Sequence, residues 1–134
     1  MIQGKAISMI ALTLVSSGTI ADWQIIGSNG REFAMFVNPE AVSRNGVIVT
    51  MPQMVTYGDS RPARVAGYVY RSELSRVEYD CAGRRTRVVA TDQIAGEMAV
   101  GNVVFRDANH AIGWESVPIR TNIEIAWKLA CEKP

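Results

Sequence analysis

Two cysteines, Cys81 and Cys131, stand fifty residues apart in a chain of 134, and what they can do depends on the compartment in which the chain folds. The first twenty-one residues bear on that: Lys5 is their only charge, and Ala6 to Val15 form an apolar run broken only by Ser8 and Thr13. Thr19 and Ala21 put small side chains at the two positions that an export peptidase reads, so cleavage is expected before Asp22. The alternative, a membrane anchor, needs roughly 20 predominantly apolar residues, and this run ends at Ser16-Ser17-Gly18. An exported chain enters an oxidising compartment, where a bridge between Cys81 and Cys131 is the economical expectation and two free thiols the alternative. Closing a loop of about 50 residues restricts the unfolded chain by roughly 4 kcal/mol, comparable to the whole stability of a small domain. A redox-active pair would need the cysteines close together, as in Cys-x-x-Cys.

Residues 22–134 are expected to form a single domain, being enough for one core and too few for two. Without Lys5 the remaining cations equal the acids, thirteen of each, so global charge draws the protein to neither nucleic acid nor anionic membrane. No second segment is apolar enough to span a bilayer, and neither cysteine adjoins the leader to accept a lipid. The expected product is a soluble periplasmic or extracellular protein. Charge is less even locally: Arg61, Arg64, Arg71, Arg76, Arg84, Arg85 and Arg87 fall within 27 residues that hold only Glu73, Glu78 and Asp80. Such a run is either a solvated face of cross-strand ion pairs or a basic surface for anionic groups.

Strand signals dominate the chain. Trp23 to Gly27 and Phe33 to Val37 flank Ser28-Asn29-Gly30, a hairpin turn in which glycine takes up positive φ. Asn38-Pro39 breaks the second run before a short helical turn over Glu40 to Ser43. Arg44-Asn45-Gly46 turns the chain into Val47 to Tyr57, whose Pro52 favours an edge strand or a bulge, and Gly58 to Pro62 has the composition of a loop. Gly67 to Tyr70 continues toward Val77, Tyr79 and Cys81, which alternate with Arg76, Glu78 and Asp80 and so put the cysteine on an apolar face. Ala82-Gly83 leads into Arg84 to Thr91, and Gly96 to Phe105 reads as a further strand.

The period then changes. Thr121 and Glu124 have the spacing of a capping box, so a helix should begin at Asn122 with Ile123, Ala126, Trp127, Ala130 and Cys131 on one face. If Cys81 projects from the sheet and Cys131 from the facing helix, a bridge would pin one to the other. The fold expected is α+β, mainly β: an antiparallel sheet of about six strands against one C-terminal helix.

Catalytic arrangements are thin. His110 is the only histidine, and with Asp107 and Asn109 it lacks the ligand count of a zinc site; no Gly-x-Ser-x-Gly elbow offers it a nucleophile. Spacing singles out no pair among Glu73, Glu78, Asp80, Glu97 and Glu115 for glycoside cleavage, and the glycines sit in hairpin-like turns rather than phosphate cradles. No cofactor, metal or enzyme activity is expected. The remaining candidate is a contact patch for a protein partner made by Tyr68 and Tyr70 with Arg61, Arg64 and Arg71, aromatic and cationic as interfaces prefer.

The chain resembles the surface-adhesin protein E family in its early Trp23 strand, its Phe36-Val37-Asn38-Pro39 region, Tyr79-Asp80-Cys81 trailed by Arg84 and Arg87, and Trp114 ahead of Pro118 and a helix ending in Cys131. That resemblance implies the antiparallel sheet, the terminal helix, the disulfide, and an adhesin that attaches to host extracellular-matrix or serum proteins. Asn38 departs from it, standing where the family tends to an acidic residue, as do the missing lipid-bearing cysteine and the balanced charge. A soluble periplasmic accessory or structural protein of the cell envelope is the other expectation.

Overall fold

The computed structural model describes residues 22–108 and 113–132; the expected leader and the polar stretch holding Asn109 and His110 lie outside them. Strands β1 (Gln24–Asn29), β2 (Phe33–Val37), β4 (Ile48–Pro62), β5 (Val69–Asp80), β6 (Arg85–Ile94) and β7 (Val103–Asp107) form the path of one antiparallel sheet in the order β1-β2-β4-β5-β6-β7. Two short strands complete it, β3 (Ser43–Asn45) on β4 and β8 (Glu115–Ser116) on β6. One helix, α1 (Asn122–Glu132), packs on β1, β4 and β5.

The helix begins where its capping signal puts it. Thr121 Oγ1 accepts the Glu124 N–H at 3.2 Å, while the Glu124 carboxylate reaches back to the N–H of Arg120 rather than Thr121, at 2.9 Å. Ala126 and Ala130 are fully buried, and their small side chains let the helix lie close on Val49 and Met51 of β4 and on Val77 and Tyr79 of β5. At the start of the helix Gly27 leaves room for Asn122, since a Cβ there would lie 2.2 Å from the Asn122 side chain. Ile123, expected on the buried stripe, is 39% exposed. Cys81 and Cys131 are joined, with Cα atoms 5.6 Å apart, and the Trp127 indole N–H donates to the Asp80 carbonyl at 3.0 Å. The helix is therefore tied to the end of β5 covalently and by a hydrogen bond.

Three expectations need correction. Pro52 lies on neither an edge nor a bulge, because β4 runs between β2 and β5. The Pro52 carbonyl accepts from Asn38 N at 3.1 Å, and on an antiparallel strand a residue's N–H and C=O face the same side. The missing donor thus faces the gap where β2 has ended at Val37 and β3 has not begun, so no ladder bond is lost. Gly58 to Pro62 is strand, not loop, and belongs to β4. Gly96 to Phe105 is only partly strand: Glu97–Ala99 is a 3-10 turn ahead of β7, with Met98 and Ala99 at φ 54° and 61°. That left-handed backbone is held because Thr56 Oγ1 accepts the Met98 N–H at 3.1 Å and the buried Ser72 Oγ accepts the Ala99 N–H at 2.9 Å.

Candidate functional site

The β4–β5 hairpin outgrows its neighbours. β2 stops alongside Tyr57 and β6 alongside Ser72, yet β4 runs on to Pro62 and β5 starts at Val69. Between the pairs Thr56↔Ser72 and Arg61↔Tyr70, the four residues Tyr57 to Ser60 face Arg71 alone, a large bulge that bends the hairpin. Gly58 is required there, since a Cβ would lie 2.0 Å from the Arg31 carbonyl oxygen. Ala63 N–H donates to the Tyr68 carbonyl at 2.9 Å and Tyr68 N–H to the Val65 carbonyl at 3.1 Å, closing the tip around Gly67 at φ 87°.

A chain of polar contacts fastens the bent tip to the sheet. Arg64 N–H donates to Gln93 Oε1 at 2.9 Å, and Gln93 Nε2 donates to Glu73 Oε2 at 3.2 Å. The Tyr57 hydroxyl donates to Glu73 Oε1 at 3.4 Å. Above this chain Arg61 lies 4.4 Å from the centre of the Tyr57 ring, and Arg64 lies 5.5 Å from that of Phe105. Tyr57 meets Tyr70 edge to face at 5.8 Å. Burial, reinforced by Glu73 and Tyr70 and opposed by Arg61, pushes the Tyr57 hydroxyl up to about 12.

Of the five residues expected to form a patch, Arg61, Arg64 and Tyr68 are exposed on this tip. Tyr70 is buried beneath it at 7% exposure. Arg71, the next residue along the strand, points to the opposite face, where it pairs with Glu97 at 3.4 Å and donates to the carbonyls of Tyr57 and Gly58. Val65, exposed by 38%, and Phe105 under Arg64 are the members that residue patterns missed. The alternation of β5 already separates Tyr70 from Arg71, whereas nothing local predicts the bulge that turns the tip back onto Phe105.

The arginines near the disulfide do different work. Asp80 Oδ1 accepts the N–H groups of Ala82 and Gly83 at 3.1 and 2.8 Å, while Oδ2 accepts from Arg85 Nη2 at 2.8 Å. Those contacts, with Arg85 foremost, hold the Asp80 carboxyl below its ordinary range. Arg84 pairs with Glu124 at 2.8 Å while lying 4.8 Å from the Trp127 ring centre, and Glu124 is likewise held low, chiefly by Arg84. Arg87 pairs with Glu78 at 2.8 Å and, with Arg85, stacks on Trp114 at 4.4 and 5.2 Å. These residues lock the β5–β6 turn, the helix and the Trp114 segment together. Among the described residues no group of three or more His, Cys, Asp or Glu side chains could hold a metal ion, and no helix is long and apolar enough to cross a membrane.

A single antiparallel sheet, a terminal helix bolted to its central strand by one disulfide, and an overgrown central hairpin define a class of small disulfide-bridged α+β domains. The chain belongs to the surface-adhesin protein E family, whose model matches residues 23–132. Its fold is that of protein E of Haemophilus influenzae: one structure superposes with a TM-score of 0.64 at 16% identity, covering 89% of this chain and 91% of that one. A second crystal form gives 0.63 at 18% identity over 95% and 97% of the two chains. Protein E from non-typeable Haemophilus influenzae gives 0.59 at 17% identity over 97% and 86%. Among curated proteins none matches the sequence significantly.

Proposed function

We propose that this is an exported, non-catalytic binding protein that adheres to a protein partner, of the host extracellular matrix or serum, through the tip of the β4–β5 hairpin. Family membership supports the adhesin class. The observation that carries the site is the tip itself: Val65 and Tyr68 expose apolar surface beside Arg61 and Arg64 on a loop fastened to the sheet. Exposed aromatic, aliphatic and arginine side chains on a pre-ordered scaffold are what association uses best, since little conformational freedom remains to be lost. Cleavage before Asp22 would release residues 22–134 into the periplasm or beyond the cell.

Solid-phase binding of the purified protein to immobilised matrix proteins tests this reading. Replacing Arg61, Arg64 and Tyr68 together by alanine should abolish binding while leaving the circular dichroism spectrum intact. Full binding by that variant would move the site elsewhere. Cell fractionation tests the location, since a protein confined to the periplasm would contact envelope components rather than a host.

A further inference from the structure

Resting on that proposed site, we infer that the tip recognises an acidic peptide segment, one that alternates carboxylate with apolar side chains. Arg71, Arg84, Arg85, Arg87 and Arg106 each hold a carboxylate. Arg61 and Arg64 reach none among the described residues, and their guanidinium carbons instead lie over the Tyr57 and Phe105 rings, 4.4 and 5.5 Å from the ring centres. A contact of a cation with a ring face uses the charge of the guanidinium and none of its N–H···O hydrogen bonds, so its donors stay available to an anion. Each arginine is thus held in position with its carboxylate-binding fork unused.

The tip itself supplies no competing anion. Arg61 to Tyr70 contains two arginines and no acidic residue. Glu73, the carboxylate beneath, has one oxygen taken by the Tyr57 hydroxyl and the other by Gln93. Asp59 lines a cleft with Arg31, Arg71 and Glu97, and Arg71 projects from the face of β5 opposite Tyr70. Val65 and Tyr68 add exposed apolar surface on the same tip. A polysulfated sugar offers nothing to that apolar part, whereas a peptide strand can set carboxylates on the arginines and place a leucine or tyrosine on Tyr68 or Val65.

The test is fluorescence anisotropy with the purified, disulfide-bonded protein and three labelled probes: a twelve-residue peptide alternating glutamate or aspartate with leucine and tyrosine, the same peptide with lysine in place of its acids, and a heparin oligosaccharide. The acidic peptide should bind at least about tenfold more tightly than the lysine peptide, and its affinity should fall as salt shortens the Debye length below roughly 10 Å. The double variant R61Q/R64Q should lose about tenfold or more, as expected where two charge-assisted contacts disappear. R61K/R64K should recover part of the loss, and Y68A should weaken binding without altering the salt slope. Equal binding of the acidic and lysine peptides, tighter binding of heparin, or an unaffected R61Q/R64Q variant would overturn the inference. Adhesion to matrix protein that persists without acidic-peptide binding defeats this inference alone; acidic-peptide capture without matrix adhesion defeats the broader adhesin reading and leaves this one standing.

Discussion

Tyr57 connects charge to folding through a single hydroxyl. Its ordinary value is 10.0 and the fold raises it to about 12, so the folded state holds that proton more firmly than the unfolded chain does. The associated stability is complete below pH 10 and is lost as pH climbs from 10 toward 12. Burial raises Tyr79 as well, so the protein should lose stability in this alkaline window; Tyr57→Phe should make the loss smaller, which thermal melts at pH 9, 10 and 11 would measure. Asp80 has the opposite sign: its lowered carboxyl stabilises the fold above the ordinary carboxylate range, and that contribution is lost as pH falls from the ordinary range toward the lowered one. Asp80→Asn should therefore melt below the parent at pH 7, with the gap closing as pH falls. Ser72, with no exposed surface, donates to the Gly96 carbonyl at 2.6 Å and accepts from Ala99 N–H. Ser72→Ala leaves the half-buried Gly96 carbonyl and Ala99 N–H without this partner, and urea denaturation should register a cost of about 1–3 kcal/mol.

Among elements, those governed by short-range rules were legible in the residues. The Asn29-Gly30 turn, the β2 strand and the start of α1 at Asn122 each depend on neighbours within four positions, through a positive φ, an alternating face or a capping hydroxyl. What escaped depends on distant partners. Gly58 to Pro62 carries the composition of a loop, yet Gly58 N–H donates to the Glu32 carbonyl at 3.0 Å and Arg61 pairs with Tyr70, so the stretch is held as strand. Gly96 to Val100 looks extended until hydroxyls from two other strands capture its N–H groups. The candidate site divides the same way, its exposed arginines and Tyr68 readable and its Phe105 and Tyr57 platforms not. The helix is sensitive in a manner its composition announces: Ala130 has no free surface, so Ala130→Leu should overpack the sheet contact and cost about 1–3 kcal/mol by chemical denaturation.

For the whole molecule, the bond between Cys81 and Cys131 joins the end of β5, one of the two middle strands of the sheet, to the last turn of the helix that covers it. Removing both thiols, as in C81A/C131A, should lower stability by about 4 kcal/mol for a loop of this size and shift the melting midpoint by well over ten degrees. A protein that grips one surface while held at another also experiences tension. Pulled from its two ends, the chain can pay out only what lies outside the covalent loop, because load crosses from Cys81 to Cys131, 50 positions apart, through sulfur and bypasses the segment between them. That length, roughly 170 Å at about 3.4 Å per residue, is withheld until the bond is reduced. The sheet strands ahead of Cys81 are left as the elastic portion, so traction would peel β1 and β2 before it reached the clamp.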